Sequence, residues 1–217
     1  MRLVLLLAAL ILPFPASGGA WMREVGSTFL SFGTTIYVND ETQGTVFVEY
    51  GLRPKLTFGL KIDVNMNQGQ TTGGTFYVFL LKPIPTGTRP YKVAYEMAVG
   101  SSFGGQSSAL LRAGLSYGRG ITIREKSGWL SIDTAAEWLA RDDATTLKLD
   151  GTLGLTLTPQ LQVMMQVFVS QTSTDTSTTL APSAIWRPKP DAPTQYQFGL
   201  EAKDGITALK LGVWRSF

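Results

Sequence analysis

From Leu56 to Met66 the chain alternates without a fault. Leu56, Phe58, Leu60, Ile62, Val64 and Met66 are apolar, and Thr57, Gly59, Lys61, Asp63 and Asn65 between them are small, polar or charged. A period of two places the sets on opposite faces of one strand and is incompatible with a helix. Val46, Val48, Tyr50 and Leu52 repeat the pattern against Phe47, Glu49 and Gly51, and Arg53-Pro54-Lys55 joins the two runs as a tight turn. The longer run has the length a tilted strand needs to cross a bilayer, roughly 9–11 residues.

The same unit recurs along the chain. Leu30, Phe32, Ile36 and Val38 mark a first strand, and Thr75 to Leu81 is apolar on both parities, which leaves its faces unassigned. Tyr91 to Gly100, Leu111 to Gly118, Leu130 to Trp138, Leu147 to Thr158 and Leu161 to Ser170 alternate clearly. Thr179 to Trp186 is weakened by Pro182, which a ladder accepts only at an edge or a bulge. Tyr196 to Lys203, the Asp204-Gly205 hairpin signal and Ile206 to Phe217 close the series. Gly120 to Gly128 reads as either an extended strand or a connection. Asn39 to Gly44, Asn67 to Gly74, Ser101 to Ser108 and Gln171 to Thr178 read as polar loops; 82–90 and 187–193 are proline-rich connections. Trp21 to Gly26 reads as a short lead-in, and there is no long insertion able to make a separate plug or lid. The expectation is an all-β fold: one transmembrane antiparallel up-and-down β-barrel of about twelve strands, with ten or fourteen if one weak strand is misread.

Composition supports a membrane setting. Charged residues make up 16% of the 217, against roughly 25% in soluble domains, yet no apolar run reaches the roughly 20 residues of a spanning helix. Met1-Arg2, the apolar block Leu3 to Leu12 and the small residues up to Ala20 form a secretory signal, removed from a barrel over 21–217. The preferred cut follows Ala20, with Ala16 and Gly18 as alternatives. The chain has no Cys, so it needs no disulfide. A net charge of +3 without a basic cluster gives no basis for nucleic-acid binding.

Alternation alone does not tell lipid from lumen. Three features turn the apolar face outward. The polar face is rich in Gly, Ser, Thr and Ala with few charges per strand, unlike the Lys- and Glu-dense surface of a soluble barrel. Aromatic residues of the apolar face, Tyr50, Tyr91, Tyr117, Trp186, Tyr196 and Phe217, adjoin the proline connections or the C-terminus, as in an interfacial girdle. Phe76 and Trp138 lie near the other loops and begin a second girdle. The chain ends on Phe217, with Leu209, Leu211 and Val213 on the same parity.

In this last strand, and in the hairpin Tyr50 to Leu60, the sequence resembles the small, largely uncharacterised, porin-like β-barrel proteins of Gram-negative outer membranes. The resemblance implies export across the inner membrane, residence in outer-membrane lipid, and recognition of the last strand by the barrel-assembly machinery through Phe217. It also implies proline-rich connections on the periplasmic side and polar loops outside.

With Lys61 and its parity inward, the lumen-lining candidates are Glu49, Lys61, Asp63, Lys92, Glu96, Arg112, Asp133, Glu137, Lys148, Asp150, Glu201, Lys203 and Lys210. Two readings of these nearly balanced charges stand. One is a polar channel for passive passage of polar solutes. The other is a closed structural or adhesion barrel whose charges fill a narrow lumen as ion pairs. A soluble periplasmic barrel binding an apolar ligand is a weaker alternative. There is no His for proton transfer near neutral pH and no Cys nucleophile, so catalysis is not expected, nor any cofactor. Asn39-Asp40-Glu41 and Asp142-Asp143 read as turns before they read as cation sites, and no metal is expected. Oligomeric state is left open.

Overall fold

A computed structural model describes residues 19–217. The segment read as a secretory signal lies outside the described residues except for Gly19 and Ala20. Twelve strands follow one another: β1 (Thr28–Tyr37), β2 (Glu41–Arg53), β3 (Leu56–Asn67), β4 (Gln70–Ile84), β5 (Tyr91–Phe103), β6 (Ser108–Ile123), β7 (Lys126–Leu139), β8 (Ala144–Thr158), β9 (Leu161–Gln171), β10 (Thr176–Trp186), β11 (Thr194–Lys203) and β12 (Ile206–Ser216). Each pairs antiparallel with its sequence neighbours, and β1 pairs with β12 from Phe29↔Ser216 to Tyr37↔Ala208. The sheet closes on itself, which leaves no open edge. No helix of the described residues is long and apolar enough to cross a membrane.

The chain ends and the connections 54–55, 85–90, 124–125, 159–160 and 187–193 lie at one rim, here the terminal rim. The other six connections form the loop rim. They are shorter than the polar composition suggests: β2 starts at Glu41, β4 at Gln70 and β10 at Thr176. The Thr-, Gln- and Gly-rich stretches read as loops are largely strand. They lose alternation because neither face there meets an apolar medium, while the backbone ladder still satisfies every N–H and C=O it can.

The unassigned stretch 120–128 is a hairpin. β6 runs to Ile123, β7 begins at Lys126, and Arg124 and Glu125 make the turn with φ of 46° and 66°. Neither residue type favours that region, so the turn has no sequence signal. Asp204 and Gly205, at 49° and 86°, make the hairpin their sequence announces. Pro182 sits neither at an edge nor at a bulge. Its pairing with Met165 of β9 is intact, but the ladder to β11 skips Ala181 and Pro182 and resumes in the same register at Ser183↔Gly199. The closed sheet tolerates the missing donor by leaving a gap in one ladder.

On the outer face every strand exposes at least one large apolar side chain, among them Phe32, Tyr50, Phe58, Leu80, Met97, Leu111, Ile132, Leu149, Val167, Leu180, Leu200 and Val213. β4 resolves its ambiguous faces: Phe76, Val78 and Leu80 point out, while Tyr77, Phe79 and Leu81 are buried inside.

Candidate functional site

The inward face is built in two parts. Near the terminal rim it is packed with apolar side chains. Tyr77, Phe79, Leu81, Ala94, Ala98 and Leu110 form one cluster, with Met22, Phe47 and Leu139 against it, and Leu110 and Leu139 carry it up one wall to the loop rim. Trp129, Met164 and Ile185 form another, with Trp21 and Trp214 against it. The small residues of this face make the packing work. A β-carbon on Gly59 would stand 2.0 Å from the Phe79 ring, and one on Gly154 would stand 2.2 Å from the Trp129 ring. Each glycine is the seat of an aromatic ring from a neighbouring strand.

Trp21 and Met22 belong to the lead-in, which turns into the barrel. The Trp21 ring rests on Gly118, where a β-carbon would be 2.5 Å away. Arg23 donates from Nε to Glu49 Oε2 at 2.7 Å, with Nη2 2.6 Å from the same oxygen, and its guanidinium lies 4.4 Å from the Phe29 ring centre. Its backbone N–H donates to Thr57 Oγ1 at 3.1 Å. The Gly26 N–H donates to Gly51 O, and the Gly51 N–H to Ser27 O. Gly51 has no alternative, since a β-carbon would be 1.9 Å from the carbonyl oxygen of Glu24. The expectation of a barrel without a plug is therefore corrected. No insertion makes one, but residues 19–23 enter the lumen from the terminal rim and narrow it at that end. Alternation could not reveal this, because the segment is not a strand.

Above this floor lies a polar cavity of about 560 Å³, within the range of small-ligand sites. Glu49, Lys61, Asp63, Glu96, Arg112, Asp133, Lys148, Asp150, Glu201, Lys203 and Lys210 all line it, as do Trp21 and Gly19. Glu137 stands behind the wall, and Lys92 is exposed, outside the cavity lining. Lys203 lies at the loop rim. Phe29, Phe47, Phe168, Trp129 and Trp214 also face inward, so the wall is more aromatic than the polar parity suggested.

The charges are laced together. Arg112 donates from Nε to Glu96 Oε1 at 2.6 Å and from Nη1 to Glu137 Oε1 at 2.5 Å, and Lys148 Nζ is 2.8 Å from Glu137 Oε2. This chain ties β5, β6, β7 and β8. Lys61 pairs with Asp63 at 3.0 Å, and Thr45 donates to Asp63 at 2.7 Å. Lys210 pairs with Glu201 at 3.4 Å, and Tyr37 donates to the other oxygen of Glu201 at 2.6 Å. Asp133 and Asp150 differ. They are direct cross-strand partners on β7 and β8, and among the described residues neither forms an ion pair.

The six aromatic residues expected at an interface lie on the outer face toward the terminal rim. Tyr91 stacks near Tyr117 at 5.5 Å between ring centres and Trp186 near Tyr196 at 5.9 Å. Tyr50 and Phe217 are exposed there. Phe76 and Trp138 are exposed toward the loop rim, and Trp138 Nε1 donates to Asp143 Oδ1 at 3.0 Å. Asp40 and Asp143 take positive φ in tight turns. No group of three metal-binding side chains occurs among the described residues.

No protein-family model and no curated protein sequence matches the chain. Its fold does match solved structures of outer-membrane channels. The KdgM porin is 10% identical and superposes with a TM-score of 0.66 over 87% of this chain and 99% of that one. The NanC porin is 11% identical, with a TM-score of 0.62 over 85% and 98%. The COG4313 outer membrane channel from Pseudomonas putida F1 is 13% identical, with a TM-score of 0.56 over 93% and 99%. At these identities the likeness is one of fold: the chain has the architecture of a small outer-membrane porin.

Proposed function

We propose that the chain is a porin-like channel of a Gram-negative outer membrane, passing small polar solutes. The observation that carries the reading is a polar cavity enclosed by a barrel whose outer face exposes large apolar side chains on every strand. A soluble protein rarely exposes a contiguous apolar patch beyond a few hundred Å², whereas a transmembrane barrel requires one around its whole girth. The porin fold of the structural neighbours supports the same reading. An apolar groove on the outside of β3 to β7, lined by Phe58, Leu80, Met97 and Leu111, lies within this belt and faces lipid, not a soluble ligand.

The N-terminal segment serves as the export signal, cut between residues 16 and 20, the terminal rim faces the periplasm, and the loop rim faces outward. Tyr50, Tyr91, Tyr117, Trp186, Tyr196 and Phe217 anchor the periplasmic interface, and the last strand ending at Phe217 is the handle for barrel assembly. The channel works by passive passage and carries no catalytic group. Its lumen alternates cations and carboxylates instead of presenting a ring of one sign, so it distinguishes cations from anions weakly.

One observation favours a second reading, a closed structural barrel. The lead-in fills the periplasmic end, and ion pairs cross the wall above it. Planar-bilayer recordings separate the two. The channel reading expects small discrete openings from the purified protein and larger ones from a W21A/R23A variant, in which the lead-in loses its ring seat and its ion pair. Silence from both proteins would reject a channel and leave the closed barrel.

A further inference from the structure

Among the described residues, the adjacent lumen carboxylates Asp133 and Asp150 form no ion pair, while the other inward carboxylates each meet a Lys or Arg. Like charges directly opposite across a ladder repel, and a partly buried carboxylate needs a counter-charge or hydrogen bonds. Asp133 Oδ2 accepts from Ser131 Oγ at 2.7 Å and Ser116 stands directly across the ladder from Asp133, but among the described residues the buried Oδ1 accepts no hydrogen bond. What lies against Oδ1 is the chain itself. Gly19 has φ +79° and sits so near that a β-carbon on it would be 2.4 Å from Oδ1. Its backbone nitrogen is therefore no more than about 5 Å from that oxygen. Ala20 beside it is 2% exposed, a packed part of the lumen filling.

We propose that the mature chain begins at Gly19 and that its α-ammonium is the missing counter-ion of Asp133. The proposal rests on the export reading above and sets the place of cleavage. Water hydrolyses the Gly18–Gly19 amide; the carboxylate leaves with Gly18, and Gly19 keeps a protonated amine, the ordinary state of a chain terminus at neutral pH. Ala16-Ser17-Gly18 supplies the small residues that a signal peptidase reads, as does Gly18-Gly19-Ala20. The two sites differ in what they leave behind. Cleavage after Ala20 would remove a buried residue and set the terminus two residues back, up to about 7 Å of extended chain. Cleavage after Gly18 frees a nitrogen that lies within about 5 Å of Asp133 Oδ1. The ammonium also offsets the repulsion from Asp150 and ties the lead-in down at its far end, as Arg23 ties it to Glu49. Processing thus completes the lumen filling: the uncleaved amide nitrogen carries no charge to give Asp133.

The test uses the full-length protein purified from outer membranes. Intact mass and N-terminal sequencing are expected to place the first residue at Gly19. Labelling of the folded protein with an amine-reactive ester is expected to spare that α-amine and to modify it in Asp133→Asn. A first residue of Ser17 or Trp21 would overturn the proposal, and so would a Gly19 amine labelled freely in the wild-type protein. The wild-type measurements stand alone if the variant does not fold. An unprocessed chain in the membrane fraction would instead overturn the export reading itself.

Discussion

Arg112 is the residue on which the charged wall turns, because it meets two carboxylates, Glu96 and Glu137, and lies 5.4 Å from the Tyr77 ring centre. Removing one member of a buried pair leaves uncompensated charge, at a cost of about 3 kcal/mol. Arg112→Met is therefore expected to lower the unfolding free energy by that order, read from urea unfolding in vesicles as a lowered midpoint, and an unchanged midpoint would show that water already satisfies both glutamates. At the loop rim, Asp204 accepts from the Ser177 hydroxyl and the Thr178 N–H, and these bonds hold its carboxyl below the ordinary aspartate range. A lowered folded-state value means that the stabilisation is present above the ordinary value and lost as pH falls through the folded one. Ser177→Ala should move the Asp204 titration, followed by NMR, upward toward the ordinary range. The parity of most charged residues was legible from alternation, since a strand has only two faces. Their partners were not: nothing in the spacing of Glu96, Arg112 and Glu137 says that three strands bring them together.

At the scale of the strands, the alternating stretches were legible wherever one face meets an apolar medium. They were illegible where neither does, which is why strands beyond the apolar belt read as loops. β4 was ambiguous for a specific reason. Its inward Tyr77, Phe79 and Leu81 belong to the buried cluster that includes the packed floor, so both faces are apolar. The glycines carried the clue. Gly59 and Gly154 alternate with large outward residues because rings of the next strand occupy their inward space. Gly154→Val, forced against the Trp129 ring, is expected to cost about 1–3 kcal/mol, read as a drop in the temperature at which the barrel loses its folded mobility on gels. Pro182 gives the opposite case. Pro182→Ala restores a donor where the β10–β11 ladder is interrupted, and should raise stability by about 1 kcal/mol and slow amide exchange around Leu180 and Ala202.

For the whole molecule, sparse charge, period-two runs of bilayer length and a terminal phenylalanine sufficed to reach a closed barrel near the observed strand number. The lead-in was the feature they missed, because its place depends on a Gly51 that admits the Glu24 carbonyl, a Gly118 that admits Trp21 and a Glu49 buried to 1% exposure beside Arg23. It narrows the lumen at one end, and a channel then requires that a polar path persist past that narrowing. Single-channel recording of the purified protein in planar bilayers tests it most directly. Small, discrete openings with a reversal potential near zero in a salt gradient are expected, and openings of larger conductance when Trp21 and Arg23 are both replaced by alanine. A folded, membrane-inserted protein that stays silent in both forms would contradict it.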